Sequence, residues 1–109
     1  MPRPNRGEVW LVDLGYAGKI RPCLVLSVAP AVEDRALVTA VAHTTSRRGS
    51  RFEVEIDAPF LEEGAFDAQN LATVAQAKYI RRLGTLDADS FRAVEAAVRS
   101  WLGIDDGRD

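Results

Sequence analysis

Apolar and polar residues alternate in short bursts along most of this chain, and a helical period appears only near its end. EVWLVDL (8–14) alternates and is rich in β-formers, and GYAG supplies a tight connection after it. CLVLSVA (23–29), ALVTAVAH (36–43) and RFEVEID (51–57) are further predicted strands, bounded by Pro22, Pro30, Gly49 and Pro59. A loop is expected from Leu61 to Asn70, where Glu-Glu-Gly suggests a turn, followed by two more strands, LATVAQA (71–77) and YIRRLGTL (79–86). Asp87 is placed to cap a helix running through Leu102, with Phe91, Val94, Val98 and Trp101 or Leu102 on one stripe and Gly103 as its stop. Trp101 is expected to seal the core, and the tail Asp105 to Asp109 to be frayed. Short strands in series with one terminal helix imply a mainly β fold. A small, strongly bent antiparallel barrel or sheet, with the helix packed on it, is expected.

A length of 109 residues fits one domain, 1–109, with a thin core. Apolar residues make up 47% and charged residues 28%, which is the composition of a soluble globular protein, and no apolar run approaches a membrane span. MPRPNRGE has no apolar segment of signal type behind it, and the single Cys23 has no partner for an internal disulfide, so a cytoplasmic location is expected. Cys23 reads as a small core residue. The net charge of −2 hides an asymmetry, because residues 1–51 carry +4 and residues 52–109 carry −6. An acidic protein with that distribution can still present a local basic surface.

Several chemistries fall away. Structural zinc needs about four Cys or His ligands, and the chain has one of each. Glu53, Glu55 and Asp57 at i, i+2, i+4 would share a strand face able to hold Mg²⁺, but their alternation with Phe52, Val54 and Ile56 describes the wet side of a half-buried strand. His43 is the only imidazole, no serine sits in a nucleophile elbow, and neither a P-loop nor a G-x-G-x-x-G run occurs. What remains is the polar cluster Thr44, Thr45, Ser46, Arg47, Arg48 and Arg51, together with Arg21, which Pro22 holds extended at the mouth of a strand. If the neighbouring strands pair, these residues describe a phosphate site. Structural salt bridges and a solvated hairpin are the competing readings of the same residues.

RGEVWLVDL, IRPCLVLS, TTSRRGSRFEVEI, Gln76-x-Lys78-x-Ile80 and a closing helix ending WLG, in this order over roughly residues 6–103, resemble the MazF/PemK family of toxin endoribonucleases from type II toxin-antitoxin systems. The resemblance implies an SH3-like antiparallel β-barrel of CcdB/MazF type with a C-terminal helix, a homodimer, and metal- and cofactor-independent, sequence-specific cleavage of single-stranded RNA. It assigns the catalytic roles to Arg21 and Thr44, with Thr45 as the next hydroxyl. It implies RNA contacts from Thr45, Gln76 and Lys78, to which Arg47, Arg48 and Arg51 would add phosphate steering. Attack by the 2′-OH would leave a 2′,3′-cyclic phosphate and a 5′-OH, and loss of mRNA would stop translation and growth. A MazE-like antitoxin is the implied partner. If Thr44 points into the site, strand alternation turns His43 away from it. Two features depart from the family: GYAGKI is short where many members carry a long loop, and Ala75 replaces an acidic residue before the glutamine. Two rivals stand beside this reading. One is a CcdB-like gyrase poison using Trp101, Gly103 and Ile104; the other is a non-catalytic RNA-binding barrel.

Overall fold

Six strands and one helix realise the pattern in a computed structural model that describes residues 2–16 and 19–104. The strands are β1 (Glu8–Asp13), β2 (Ile20–Val25), β3 (Leu37–Thr44), β4 (Glu53–Val54), β5 (Ala65–Ala75) and β6 (Tyr79–Thr85), and the helix is α1 (Ala88–Leu102). They form one sheet in the order β4-β5-β3-β2-β1-β6, with antiparallel neighbours throughout. The mainly β class and the terminal helix are as predicted. The barrel is not closed, because β4 and β6 are the two edges and do not pair with each other.

The sheet must nevertheless bend. A single turn of 3₁₀-helix, Gln76–Lys78, links β5, which lies beside β3, to β6, which lies beside β1. Three residues span that interval only if the sheet curls toward them. Tyr79, the first residue of β6, reaches across and donates its hydroxyl to the Val38 carbonyl at 3.0 Å. It closes a cluster of Val12, Cys23, Val25, Val38, Ala40 and Ala42. Buried among these, the Cys23 thiol is pushed up to about 12 by desolvation, as befits a core residue rather than a nucleophile.

The opposite face holds Val9, Leu24, Val41 and Phe66 against Val94 and Val98 of the helix. Neighbouring residues of β2 and β3 are therefore buried on both sides, which explains why CLV and AVA read as continuous apolar runs. The helix begins and ends as expected: the Asp87 carboxylate accepts the Ser90 N–H at 2.7 Å, and Gly103 adopts φ 71°. Arg6 fastens the helix to the sheet. Its guanidinium donates to the Leu26 carbonyl, pairs with Glu95 and lies 4.6 Å from the Phe91 ring centroid. Trp101 does not seal the core; it remains 43% exposed and packs edge-on against Phe52.

Two strands differ from the sequence pattern for local reasons. β5 starts at Ala65, inside the expected loop, because β3 residue Ala42 lies opposite four residues, Asp67 to Asn70, between the pairs Val41↔Leu71 and His43↔Phe66. That bulge breaks the alternation. β4 is cut to two residues because Glu53 turns its carboxylate back onto the N–H groups of Arg48, Gly49 and Ser50, at 2.8–3.2 Å. Of the GYAGKI connection, residues 17 and 18 lie outside the described residues, as does the tail 105–109. No described helix is long and apolar enough to cross a membrane.

Tyr79→Phe removes one buried hydrogen bond while keeping the ring. We expect a loss of about 1 kcal/mol, measured by urea unfolding with an unchanged m-value.

Candidate active site

The β2–β3 ladder pairs Val25↔Ala40, Leu24↔Val41 and Cys23↔Ala42. Cys23↔Ala42 is the last pair of this ladder; carried two residues further, its register would set Arg21 across from Thr44. Thr44 ends β3 because its Oγ1 accepts the Ser46 N–H at 3.0 Å, a local turn that a threonine forms readily. On the other side Thr44 pairs with Ala65, and the chain before it comes so close that a Cβ on Gly64 would stand 2.1 Å from the Thr44 carbonyl oxygen. Glycine is required there by space alone.

Arg21 also lines a hollow of about 390 Å³, together with His43, Thr45, Glu62 and Arg81, and with Leu11 and Phe60 on its apolar side. Phe60 is held in place by contact with Gly84, where a Cβ would meet its ring at 2.4 Å. Thr45 is in this wall and Thr44 is not. Residues 43 and 45 therefore share the hollow with Arg21, and Thr44, between them in the chain, does not line it. Arg81, Glu62 and Phe60 went unnoticed in the sequence; they lie on β6 and in the β4–β5 connection, where no motif marks them.

His43 is 3% exposed and packs edge-on to Phe66 at 5.1 Å, and its Nε2 has no hydrogen-bond partner. Burial pushes its pKa below the ordinary 6.5, with the nearby Glu62 charge acting the other way. The ring is neutral at pH 7. A buried polar atom left unpaired costs about 1–3 kcal/mol, so its presence calls for a reason.

The arginines of the cluster have other engagements. Arg47 pairs with Glu55 at 2.7 Å and Glu63 at 3.9 Å, in an acidic hollow of about 480 Å³ that also includes Asp57 and Glu62. Arg51 stacks its guanidinium 4.5 Å from the Phe52 ring centroid. Arg48 is exposed and gives its backbone N–H to Glu53, whose carboxyl is held below its usual range first by that bond. Glu53, Glu55 and Asp57 do not share a strand face, because β4 stops at Val54. Among the described residues no group of three or more His, Cys, Asp or Glu is placed to hold a metal ion.

Gln76 and Lys78 stand on the 3₁₀ turn rather than on a strand. The Gln76 amide donates to the Pro2 carbonyl and its backbone N–H to Ala36, beside the start of β3. Thr44 is at the other end of that strand, seven residues and about 23 Å away. Gln76 and Thr44 are not brought together. Lys78 is exposed and precedes Tyr79, which faces Val12, the residue that pairs with Arg21.

Residues 5–102 match the family described as PemK-like, MazF-like toxin of type II toxin-antitoxin system. The chain is 30% identical over 104 residues to Endoribonuclease MazF4 of Mycobacterium tuberculosis, an alignment covering 95% of this chain and 97% of the relative. Among solved structures it resembles a mycobacterial endoribonuclease in complex with its cognate antitoxin, at TM-score 0.80 and 29% identity over 94% of this chain and 97% of the other. It also resembles a MazE-MazF complex from Deinococcus radiodurans, at TM-score 0.80 and 25% identity over 96% and 100% of the two chains.

Two outcomes follow from this geometry. Gly64→Ala pushes against the Thr44 carbonyl and should destabilise the fold by more than about 1 kcal/mol, read by urea unfolding. Because the His43 pKa is lower folded than unfolded, the unfolded chain binds the extra proton first as pH falls below about 6.5, and stability declines with it. His43→Phe removes that contribution, so its thermal midpoint should fall less between about pH 7.5 and 5.5 than that of the parent protein.

Proposed function

This chain belongs to the PemK-like, MazF-like family of toxins from type II toxin-antitoxin systems, and on that premise we propose that it is a metal-independent endoribonuclease cutting single-stranded RNA at Arg21 and Thr44. The observation that supports the assignment is the β2–β3 register, which if continued past Cys23↔Ala42 would set Arg21 across from Thr44, whose hydroxyl is oriented by the Ser46 N–H.

The chemistry needs nothing the chain lacks. The ribose 2′-oxygen attacks the adjacent phosphorus, a 2′-O–P bond forms, and the P–O5′ bond breaks. The 2′-OH gives up a proton and the leaving 5′-oxygen gains one, so the products end in a 2′,3′-cyclic phosphate and a 5′-OH. Arg21 meets the negative charge that develops on the phosphoryl oxygens and donates toward the leaving oxygen. Thr44, its oxygen anchored by the Ser46 N–H, aligns the 2′-OH. A free guanidinium and a free hydroxyl both titrate far from pH 7, so alignment and electrostatics supply most of the acceleration.

A second assignment of the hydroxyl rests on one observation: Thr45, not Thr44, lines the hollow that holds Arg21. The RNA strand itself runs past Arg81, Arg48 and Lys78, which are exposed, rather than over the acidic hollow around Arg47. The enzyme works as a homodimer in the cytoplasm, restrained by a MazE-like antitoxin, and when released it destroys mRNA and halts translation. Support for the antitoxin comes from the similar structures solved with theirs. The gyrase-poison alternative loses ground, since the matching relatives are named as endoribonucleases, and exposure of Trp101 and Ile104 alone does not favour it.

The test uses a labelled mixed RNA pool in EDTA. The parent protein should cut it and leave 5′-OH ends, Arg21→Ala should lose roughly 10²-fold or more in rate, and Thr44→Ala should lose more than Thr45→Ala. Cutting abolished by EDTA would contradict the mechanism. Intact RNA bound to the protein would favour a non-catalytic barrel.

A further inference from the structure

The unpaired Nε2 of His43 is the one buried side-chain polar atom among the described residues for which the fold provides no partner. It belongs to a ring in the wall of the hollow that also holds Arg21 and Thr45, next along β3 from Thr44. Packing does not require an imidazole at that place. The ring meets Phe66 edge-on, a contact phenylalanine would make as well. We propose that His43 is a substrate-binding residue: its imidazole gives Nε2 as the hydrogen-bonding group for the nucleotide beside the phosphate gripped by Arg21.

This rests on the ribonuclease reading and extends it to a residue that the family resemblance does not assign. Polar atoms in a built hollow are left unpaired where a ligand later supplies the partner. The surroundings suit a nucleotide. Leu11 and Phe60 offer an apolar and aromatic side for a base, Arg21 and Arg81 offer two cations for consecutive phosphates, and Glu62 supplies an acceptor at the rim. Arg21, Arg81 and Glu62 are the charged residues that line the hollow with the ring. Nε2 is shielded from solvent, so a nucleotide that bonds to it must displace part of the surrounding wall.

Three variants of the full chain and one spectrum test this. His43→Phe keeps the ring packing and removes the polar atom; it should fold, remain at least as stable as the parent at pH 7.5, and lose tenfold or more in kcat/KM. His43→Gln places an amide near the position of Nε2 and should recover most of that loss. Arg21→Ala serves as the control for the reaction itself. Because His43 is the only histidine in the sequence, its ring nitrogens give an unambiguous NMR signal. An oligonucleotide that the enzyme cuts, made uncleavable by a 2′-deoxy substitution at the cut site, should shift the Nε2 resonance. Activity in His43→Phe within twofold of the parent, or an Nε2 signal unmoved at saturating oligonucleotide, would overturn the proposal. If the parent protein cuts no RNA at all, the ribonuclease reading itself fails, and that result is separate from a failure confined to His43.

Discussion

Strand β3 is hydrogen-bonded on both sides, to β2 and to β5, and everything of chemical interest lies where that double pairing ends. Held from both flanks, the strand has no freedom to slip, since a shift of one residue would move Val41 out of one core and Ala40 and Ala42 out of the other. Its last residue, Thr44, is thereby fixed against Ala65 of β5. The terminus is closed by two further restraints: the Thr44 side chain turns onto Ser46 N–H, and the backbone at Gly64 presses against the Thr44 carbonyl. A hydroxyl so placed is held by the ladder and by its own turn rather than by a loop.

Charge is distributed to keep that place selective. Several arginines are used in construction: Arg6 fastens the helix, Arg47 ties Glu55 and Glu63 together, Arg51 covers Phe52, and Arg82 pairs with Glu8. The hollow around Arg47 is rich in carboxylates, whereas Arg21 and Arg81 line the neighbouring one. A protein of net charge −2 can therefore still present a hollow lined by two arginines. The same arrangement explains why counting arginines near Thr44 overstates the basic surface.

Some of this was legible in the residues and some was not. The helix was read correctly to its ends, because an aspartate cap, a 3–4 stripe and a terminal glycine all act within one element. β1, β2, β3 and β6 were found by their alternation or apolar runs, with boundaries displaced by one to four residues. β5 was misread at its start because a bulge of four residues erases the period, and β4 was overextended because Glu53 caps a loop instead of joining a strand face. Closure of the barrel was expected from the family and is absent because the edge strands do not meet. At the site, pairing of consecutive strands made Arg21 and Thr44 plausible neighbours. The partners of Arg47, the bond from Gln76 to Pro2 and the position of His43 depend on contacts between distant segments, to which no local pattern is sensitive.

The central claim is that Arg21 and Thr44 act on one phosphate as a unit. A double-mutant cycle measures this directly, comparing RNA cleavage rates of Arg21→Ala, Thr44→Ala and the double variant. Joint action predicts that the double variant is scarcely slower than the worse single variant. Rate losses that multiply independently, or a cycle in which Thr45→Ala couples to Arg21→Ala while Thr44→Ala does not, would contradict it.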